Sequence, residues 1–169
     1  MERLIETVIE HAVVNAPFGS ITIYANYKYI FKISINKIDP TTTPITYIHL
    51  IDAALQMEAY LSGAIKNFNL PIQQSGTPFQ QSCWAQLLTI PYGNIISYAQ
   101  QAKILNNPLG IRAIASSNGK NKIAIVVPCH RVIGSNGSLT GYAGGLEVKK
   151  WLLLHEVKNS NHKIQGQLF

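Results

Sequence analysis

Sulfur is scarce in this 169-residue chain, which has two methionines and two cysteines, Cys83 and Cys129. Two thiols cannot build a disulfide framework, and no four-ligand Cys/His cluster has zinc spacing, so no metal is expected. No apolar run approaches the length of a membrane span. Glu2, Glu6 and Glu10 fall in the first twenty residues, which is wrong for a signal peptide or an Arg-rich transit peptide. The expectation is a soluble cytoplasmic protein without membrane attachment. Acidic side chains are also few, and unevenly placed. Residues 1–75 carry five Lys/Arg against six Asp/Glu, whereas residues 76–169 carry nine against two. A near-neutral first half and a basic second half suggest that only the second half meets a polyanion, although plain solubility would give the same excess.

What is present centres on residues 123–133, Ile-Ala-Ile-Val-Val-Pro-Cys-His-Arg-Val-Ile. The run Ile123 to Val127 reads as a buried strand, because β-branched side chains suit an enclosed pleated surface. Pro128 stops it. Cys129 is then delivered at the end of a rigid element, followed by His130 and Arg131, both able to carry positive charge. A thiol in an electropositive setting has a lowered pKa, and the thiolate is the reactive form. The competing reading is a cysteine that merely fills space.

The first seventy residues look structural. Val8 to Val14 suits a strand. Residues 20–35 alternate as a hairpin, with Ile21 and Ile23 on one arm, Tyr27, Tyr29, Phe31, Ile33 and Ile35 on the other, and a turn at Ala25-Asn26, where asparagine tolerates positive φ. Residues 38–46 read as a loop. Apolar residues at Ile48, Ile51, Leu55, Ala59 and Leu61 suit a helix from about Ile48 to Ser62, with Gly63 as a natural C-cap. His11 and His49 read as ordinary structural or surface histidines, and residues 70–77 as a linker.

The second half opens with a capping box, Thr77 with Gln80 and Pro78 at the first helical position, on a helix whose stripe buries Cys83. Ser97-Tyr98-Ala99-Gln100 repeats the box for a second helix to about Leu105. A third is expected from Asn107 as N-cap and Pro108 at the first turn to about Asn118. Two short helices across a tight turn can form a DNA-reading helix-turn-helix or a plain helical hairpin. Gly110, Arg112, Ala113, Ala115, Ser116 and Ser117 would give the later helix a small-residue face able to approach a partner closely. A glycine-dense stretch around Tyr142 can lay its backbone against a flat ligand. The last helix, from about Gly145, is expected to bury Leu146, Trp151, Leu152, Leu153 and Leu154. It ends at Glu156, where a carboxylate opposes the helix dipole and is either solvated or functional. Residues 157–169 form a polar tail ending in Leu168-Phe169.

Pro-Cys-His-Arg-Val-Ile at 128–133, Thr-Gly-Tyr-Ala-Gly-Gly-Leu at 140–146 and Trp-Leu-Leu-Leu-His-Glu at 151–156 closely resemble the O6-alkylguanine-DNA alkyltransferases. So do Gly-Thr-Pro-Phe-Gln at 76–80, Ile-Pro-Tyr-Gly at 90–93, Ser-Tyr at 97–98, Ile-Arg-Ala at 111–113 and Asn121. The resemblance implies an α+β fold. A small N-terminal α/β, ribonuclease-H-like domain would span 1–73, and a helical, winged-helix-like DNA-binding domain carrying the cysteine would span 74–169. It implies stoichiometric transfer of an alkyl group from guanine O6 in DNA to Cys129, with O4-alkylthymine a further candidate substrate, no cofactor and a monomeric protein. His130 would be the base, acting through a water because neighbours on an extended chain point apart. Glu156 would orient His130, Tyr98 would assist at guanine N3, and Asn121 would tie the active-site turn together. Backbone N–H groups around Tyr142 and Ala143 would meet O6. Arg112, Ala113, Ala115 and Ser135 would contact double-stranded DNA from the minor groove, with Arg112 filling the space of the extrahelical base. Ala143 stands where some relatives have serine, and Ala115-Ser116 replaces a smaller pair. A lesion-binding protein without transfer, a helix-turn-helix regulator with a structural cysteine and a cysteine hydrolase are the rival readings.

Overall fold

Alternating apolar residues build a three-stranded antiparallel sheet from β1 (Glu10–Ala16), β2 (Gly19–Ala25) and β3 (Ile30–Ile35), in that spatial order. The computed structural model describes residues 8–37, 39–41 and 44–160, so parts of the 38–46 loop and the tail beyond Ser160 lie outside it. Ile21 opposes Ile35 and Ile23 opposes Ile33, and all four are buried. The hairpin turn forms at Asn26 by a different device from positive φ. The Asn26 side chain accepts the N–H groups of Lys28 (2.9 Å) and Tyr29 (2.7 Å). Left-handed backbone occurs instead just after β3, at Asn36, with φ 53°.

Helix α1 (Ile48–Leu61) packs on this sheet through Leu50, Ala53, Met57 and Tyr60. The apolar residues that mark this helix in the sequence are not its buried face, for Ile48 is 81%, Ile51 46% and Leu55 59% exposed. Both stripes repeat at three and four residues, so period alone could not choose between them. No side chain of the preceding residue caps α1. The buried carboxylate of Glu10 does so from β1, accepting the N–H groups of Thr46 (2.7 Å) and Tyr47 (2.9 Å) and the Thr46 hydroxyl, where the helix dipole favours negative charge.

The free edge of β3 is covered by two returning segments of the same unit, which comprises the chain up to Gln74 and Lys122–Val126. Ile30 donates to the Pro71 carbonyl (2.8 Å) and accepts from Gln73 (3.0 Å), so part of the expected linker belongs to the sheet edge. Ile33 donates to the Lys122 carbonyl at 2.8 Å. The apolar run 123–127 is buried but is not a strand. It makes one bridge, Ile123 to Ile33, and then turns sharply. Val126 donates to the Ala124 carbonyl (2.8 Å) across Ile125, whose φ of 71° is the left-handed region that a β-branched residue rarely enters.

The second unit, Ser75–Asn121 and Val127 onward, is mainly helical. Helix α2 (Pro78–Leu87) and helix α3 (Tyr98–Ile104) each begin with a complete capping box, on Thr77/Gln80 and Ser97/Gln100. Cys83, Ala102 and Ile114 form a buried cluster joined by Phe79, Tyr98 and Leu105. Helix α4 (Ile111–Gly119) starts later than expected, with Gly110 as its N-cap. The reason is that Asn106 and Asn107 close α3 instead. Asn106 is left-handed (φ 53°) and donates to Lys103, while Asn107 donates to Ala102, a Schellman arrangement. Ser117, expected on the open face, is buried and its carbonyl accepts from the Trp84 indole (2.8 Å). Buried Gln101 and Asn118 exchange two amide hydrogen bonds and lock α3 to α4.

Short parallel strands β4 (Ile96–Ser97) and β5 (Val132–Ile133) precede helix α5 (Leu146–Asn159). The buried face of α5 is Val148, Lys149, Leu152, Leu153 and Glu156. Leu146 and Leu154 are 46% and 44% exposed, and Trp151 is half-buried, stacked on His155. Lys149 and Glu156 therefore share an inward face that was expected to be wholly apolar. Among the described residues no helix is long and apolar enough to cross a membrane.

Candidate active site

Two tight turns in succession present Cys129. After the turn at Ile125, Cys129 donates to the Val127 carbonyl (2.9 Å) across Pro128, whose φ of −85° and ψ of 61° make an inverse γ-turn. Cys129–Arg131 then forms a 3-10 turn closed by Arg131 N–H to the Pro128 carbonyl (3.0 Å), not the extended chain expected.

Asn121 Nδ2 donates to the Val127 carbonyl (2.8 Å) and lies 3.3 Å from Cys129 Sγ, so one amide ties the turn and holds the sulfur. Burial raises the Cys129 thiol pKa, against the lowering effects of the Asn121 hydrogen bond and the Lys149 charge. This reverses the expectation of a thiolate favoured by two cationic neighbours. Neither neighbour supplies a free charge, because both are committed to Glu156.

The Glu156 carboxylate is fully buried and bound from three directions. Oε1 accepts from His130 Nε2 (2.8 Å) and an Arg131 terminal nitrogen (2.9 Å), and Oε2 accepts from Arg131 Nε (2.9 Å) and the Gly93 N–H (3.0 Å). Arg131 also donates to the Ile90 carbonyl (2.6 Å) and lies over the Tyr92 ring. Burial alone would raise the Glu156 pKa. The His130 ring, the bidentate guanidinium and their hydrogen bonds outweigh it and hold the carboxyl far below the usual carboxylate range. Burial lowers the His130 pKa, with the Glu156 attraction opposing and the Arg131 charge assisting. The ring is thus neutral, and since a carboxylate only accepts, its proton sits on Nε2. Nδ1 is left as a buried lone pair with no hydrogen-bond partner among the described residues.

Both pKa shifts are downward on folding, so each adds stability above the unfolded-state pKa and loses it as pH falls. Stability should therefore decline in two stages on acidification, first below about pH 6.5 as unfolded His130 takes up a proton, then below about pH 4.5 as unfolded Glu156 does. Urea midpoints measured from pH 8 to pH 3 check this, and a profile that is flat from 6.5 to 5 would contradict it.

Lys149 projects beneath the same turn, fully buried. Its Nζ donates to the carbonyls of Val132 (2.7 Å) and Thr140 (2.9 Å), pinning the glycine-dense loop to β5. Burial pulls its pKa down to about 8, against the opposing pull of a Cys129 thiolate. In that loop the Tyr142 ring meets the His130 ring edge-on at 6.4 Å, and its buried hydroxyl has no partner. A thiol, an imidazole lone pair and a phenol, each supported from behind, make a site equipped for proton removal and nucleophilic attack.

Residues 78–158 match the sequence profile of the 6-O-methylguanine DNA methyltransferase DNA-binding domain. A methylated-DNA–protein-cysteine methyltransferase from Methanosarcina acetivorans is 50% identical over 102 residues, covering 60% of this chain and 65% of that protein. The Mycobacterium tuberculosis protein of the same name is 37% identical over 153 residues, covering 86% and 91%. The crystal structure of the M. tuberculosis protein in complex with DNA superposes with a TM-score of 0.80 at 35% identity, over 89% of this chain and 94% of that one. This chain belongs to the methylated-DNA–protein-cysteine methyltransferase family. Its mixed α+β architecture, with a small antiparallel sheet and helices, is that of the methyltransferase structures.

Of the residues the methyltransferase resemblance singled out, a hydrogen bond joins Asn121 to Cys129, another joins His130 to Glu156, and a ring contact joins His130 to Tyr142. The rest lie outside these contacts. Tyr98 opens α3 with its ring against the Cys83 cluster. Arg112 and Ala113 are exposed on α4, and Ala115 is half-buried there. Ser135 and Ala143 are exposed in the loop after β5, where Ser135 lines a concavity with Ser97 and Gln100. Sequence reasoning placed Arg131 beside Cys129 as a positive charge but missed its pairing with Glu156, and it missed Lys149 altogether. Arg131 had a signal, being directly after His130, but its partner is 25 residues away. Lys149 had none beyond an interruption in the apolar stripe of α5.

Proposed function

We propose that this chain repairs DNA by transferring the alkyl group of O6-alkylguanine to Cys129 once, irreversibly, with no cofactor. The observation that carries this is the pairing of a held sulfur with a neutral imidazole whose only open nitrogen is a lone pair. His130 Nδ1 takes the thiol proton through a bridging water, and the charge it gains is balanced by Glu156, whose second oxygen Arg131 keeps fixed. The thiolate attacks the alkyl carbon, a C–S bond forms and the C–O6 bond breaks. Tyr98 donates toward N3 as the purine leaves, and backbone N–H groups near Tyr142 and Ala143 meet O6. The protein is left as a thioether, which has no ready route back. O4-alkylthymine presents the same alkyl–oxygen bond and would be a second substrate.

The DNA would be double-stranded and approached from the minor groove by α4, whose face of Arg112, Ala113 and Ala115 admits close contact, with Ser135 touching the backbone and the protein acting as a monomer. We read residues 1–73 as a ribonuclease-H-like domain that scaffolds this chemistry, in keeping with three antiparallel strands followed by a helix, and residues 74–169 as a winged-helix-like domain that performs it. Incubating the protein with excess methylated duplex should stop at one equivalent, with one added methyl on the Cys129 peptide by mass spectrometry. Repair continuing well beyond one equivalent would overturn single use, and DNA binding without the methyl would favour a lesion-marking protein. Arg112→Ala should slow repair of duplex DNA about tenfold or more while leaving reaction with free alkylguanine nearly unchanged, because only the duplex needs its base held out. Equal losses on both substrates would remove that role.

A further inference from the structure

A second cavity of about 410 Å³ opens among the end of α2, the 89–96 segment, α3 and α5. Its walls are mostly aliphatic, including Ile96, Ile104 and Val157, and among the described residues no lysine, arginine or histidine lines it. Neither Cys129, His130, Asn121 nor Tyr142 reaches it, so it is separate from the reaction site. It does touch the back of that site. Gly93, which lines the cavity, donates to Glu156 Oε2, while His130 takes Oε1. Gln86 lines it too, is only 7% exposed, and its Oε1 accepts no hydrogen bond from the described residues.

We propose that this cavity is a binding site for a compact, mainly apolar molecule bearing one N–H donor, a nitrogen heteroaromatic being the class that fits. The volume lies in the range of small-ligand sites, and aliphatic walls favour a flat apolar body. An unpartnered buried amide oxygen calls for a donor, since leaving it empty is costly and satisfying it orients the ligand. An occupant would lie against Gly93 and Ile90, whose backbones hold Glu156 and Arg131, and so would reach the back of the His130–Glu156 pair. The inference goes beyond alkyl transfer and does not depend on it.

Indole, which has an apolar body and a single N–H, tests this against 1-methylindole, which lacks the donor. Titrated into the isotopically labelled full chain without DNA, indole should give saturable amide shifts centred on Ile96, Ile104 and Val157. Binding of 1-methylindole should be about tenfold weaker, and Gln86→Leu should erase that preference. Gln86→Leu removes an unsatisfied polar atom, so the variant should fold. Ile104→Trp, at a position 56% exposed, should block both ligands by filling the mouth. Equal affinity for the two indoles, shifts centred elsewhere, or no saturable shift would overturn the proposal. Because the readout contains no alkylated substrate, its failure and a failure of the repair reaction are distinguishable.

Discussion

Glu156→Ala should cost about 3–5 kcal/mol of stability and abolish methyl transfer, the largest effect expected of any single substitution in the chain. The cost comes less from the lost attraction than from what remains. Arg131 is buried with its guanidinium aimed at both carboxylate oxygens, and removing them strands a positive charge inside the protein. A domain of this size has about 5–15 kcal/mol in total, so much of its stability would go. Instability alone could explain lost activity, so a second variant separates the roles. In Glu156→Gln combined with Arg131→Met, the charge is removed on both sides and the amide oxygen still accepts from His130 Nε2. Urea unfolding should recover most of the way, whereas single-turnover transfer should stay about 10²–10⁴-fold slow, because nothing balances the imidazolium. Recovery of both stability and rate would show that Glu156 serves only the fold.

Cys129→Ser should retain the fold and DNA binding but transfer no detectable methyl. A serine hydroxyl is far harder to ionise than even a thiol whose pKa burial has raised, and a neutral imidazole cannot supply the difference. The hydroxyl can still accept from Asn121, so the turn keeps its tie. Affinity for methylated duplex, read by fluorescence anisotropy, should change less than about threefold, under 1 kcal/mol. Methyl loss from the duplex at a measurable fraction of the parent rate would mean that another nucleophile does the chemistry.

The parts legible in the sequence are those decided within a few residues. The capping boxes of α2 and α3 were readable because donor and acceptor are three positions apart. The hairpin was readable from alternation, although Asn26 works by its side chain and not by its φ. Competition between neighbouring elements was not readable. Asn107-Pro108 looks like the start of a helix, yet Asn107 is used to finish α3. The inward face of α1 needed knowledge of where the sheet lies. The run 123–127 has strand composition, and its burial was correctly foreseen, but nothing local announces a left-handed isoleucine. At the site, the residue types were plain from the Pro-Cys-His-Arg motif, and Glu156 looked anomalous at a helix end. The helix in fact continues to Asn159, and the anomaly dissolves into a buried ion pair. The sign of the Cys129 shift was misjudged because sequence shows charges but not what already neutralises them.

The edge segment Lys122–Val126 has a practical corollary for anyone wishing to cut this molecule down. A fragment beginning at Ser75 would keep every residue of the relay, yet it would leave behind the strand whose Ile33 receives Ile123. Ile123, Ala124, Ile125 and Val126, all hidden from solvent in the full chain, would be stripped of their cover immediately upstream of the nucleophile. Such a fragment should aggregate on expression, and co-expressing residues 1–74 should return it to the soluble fraction.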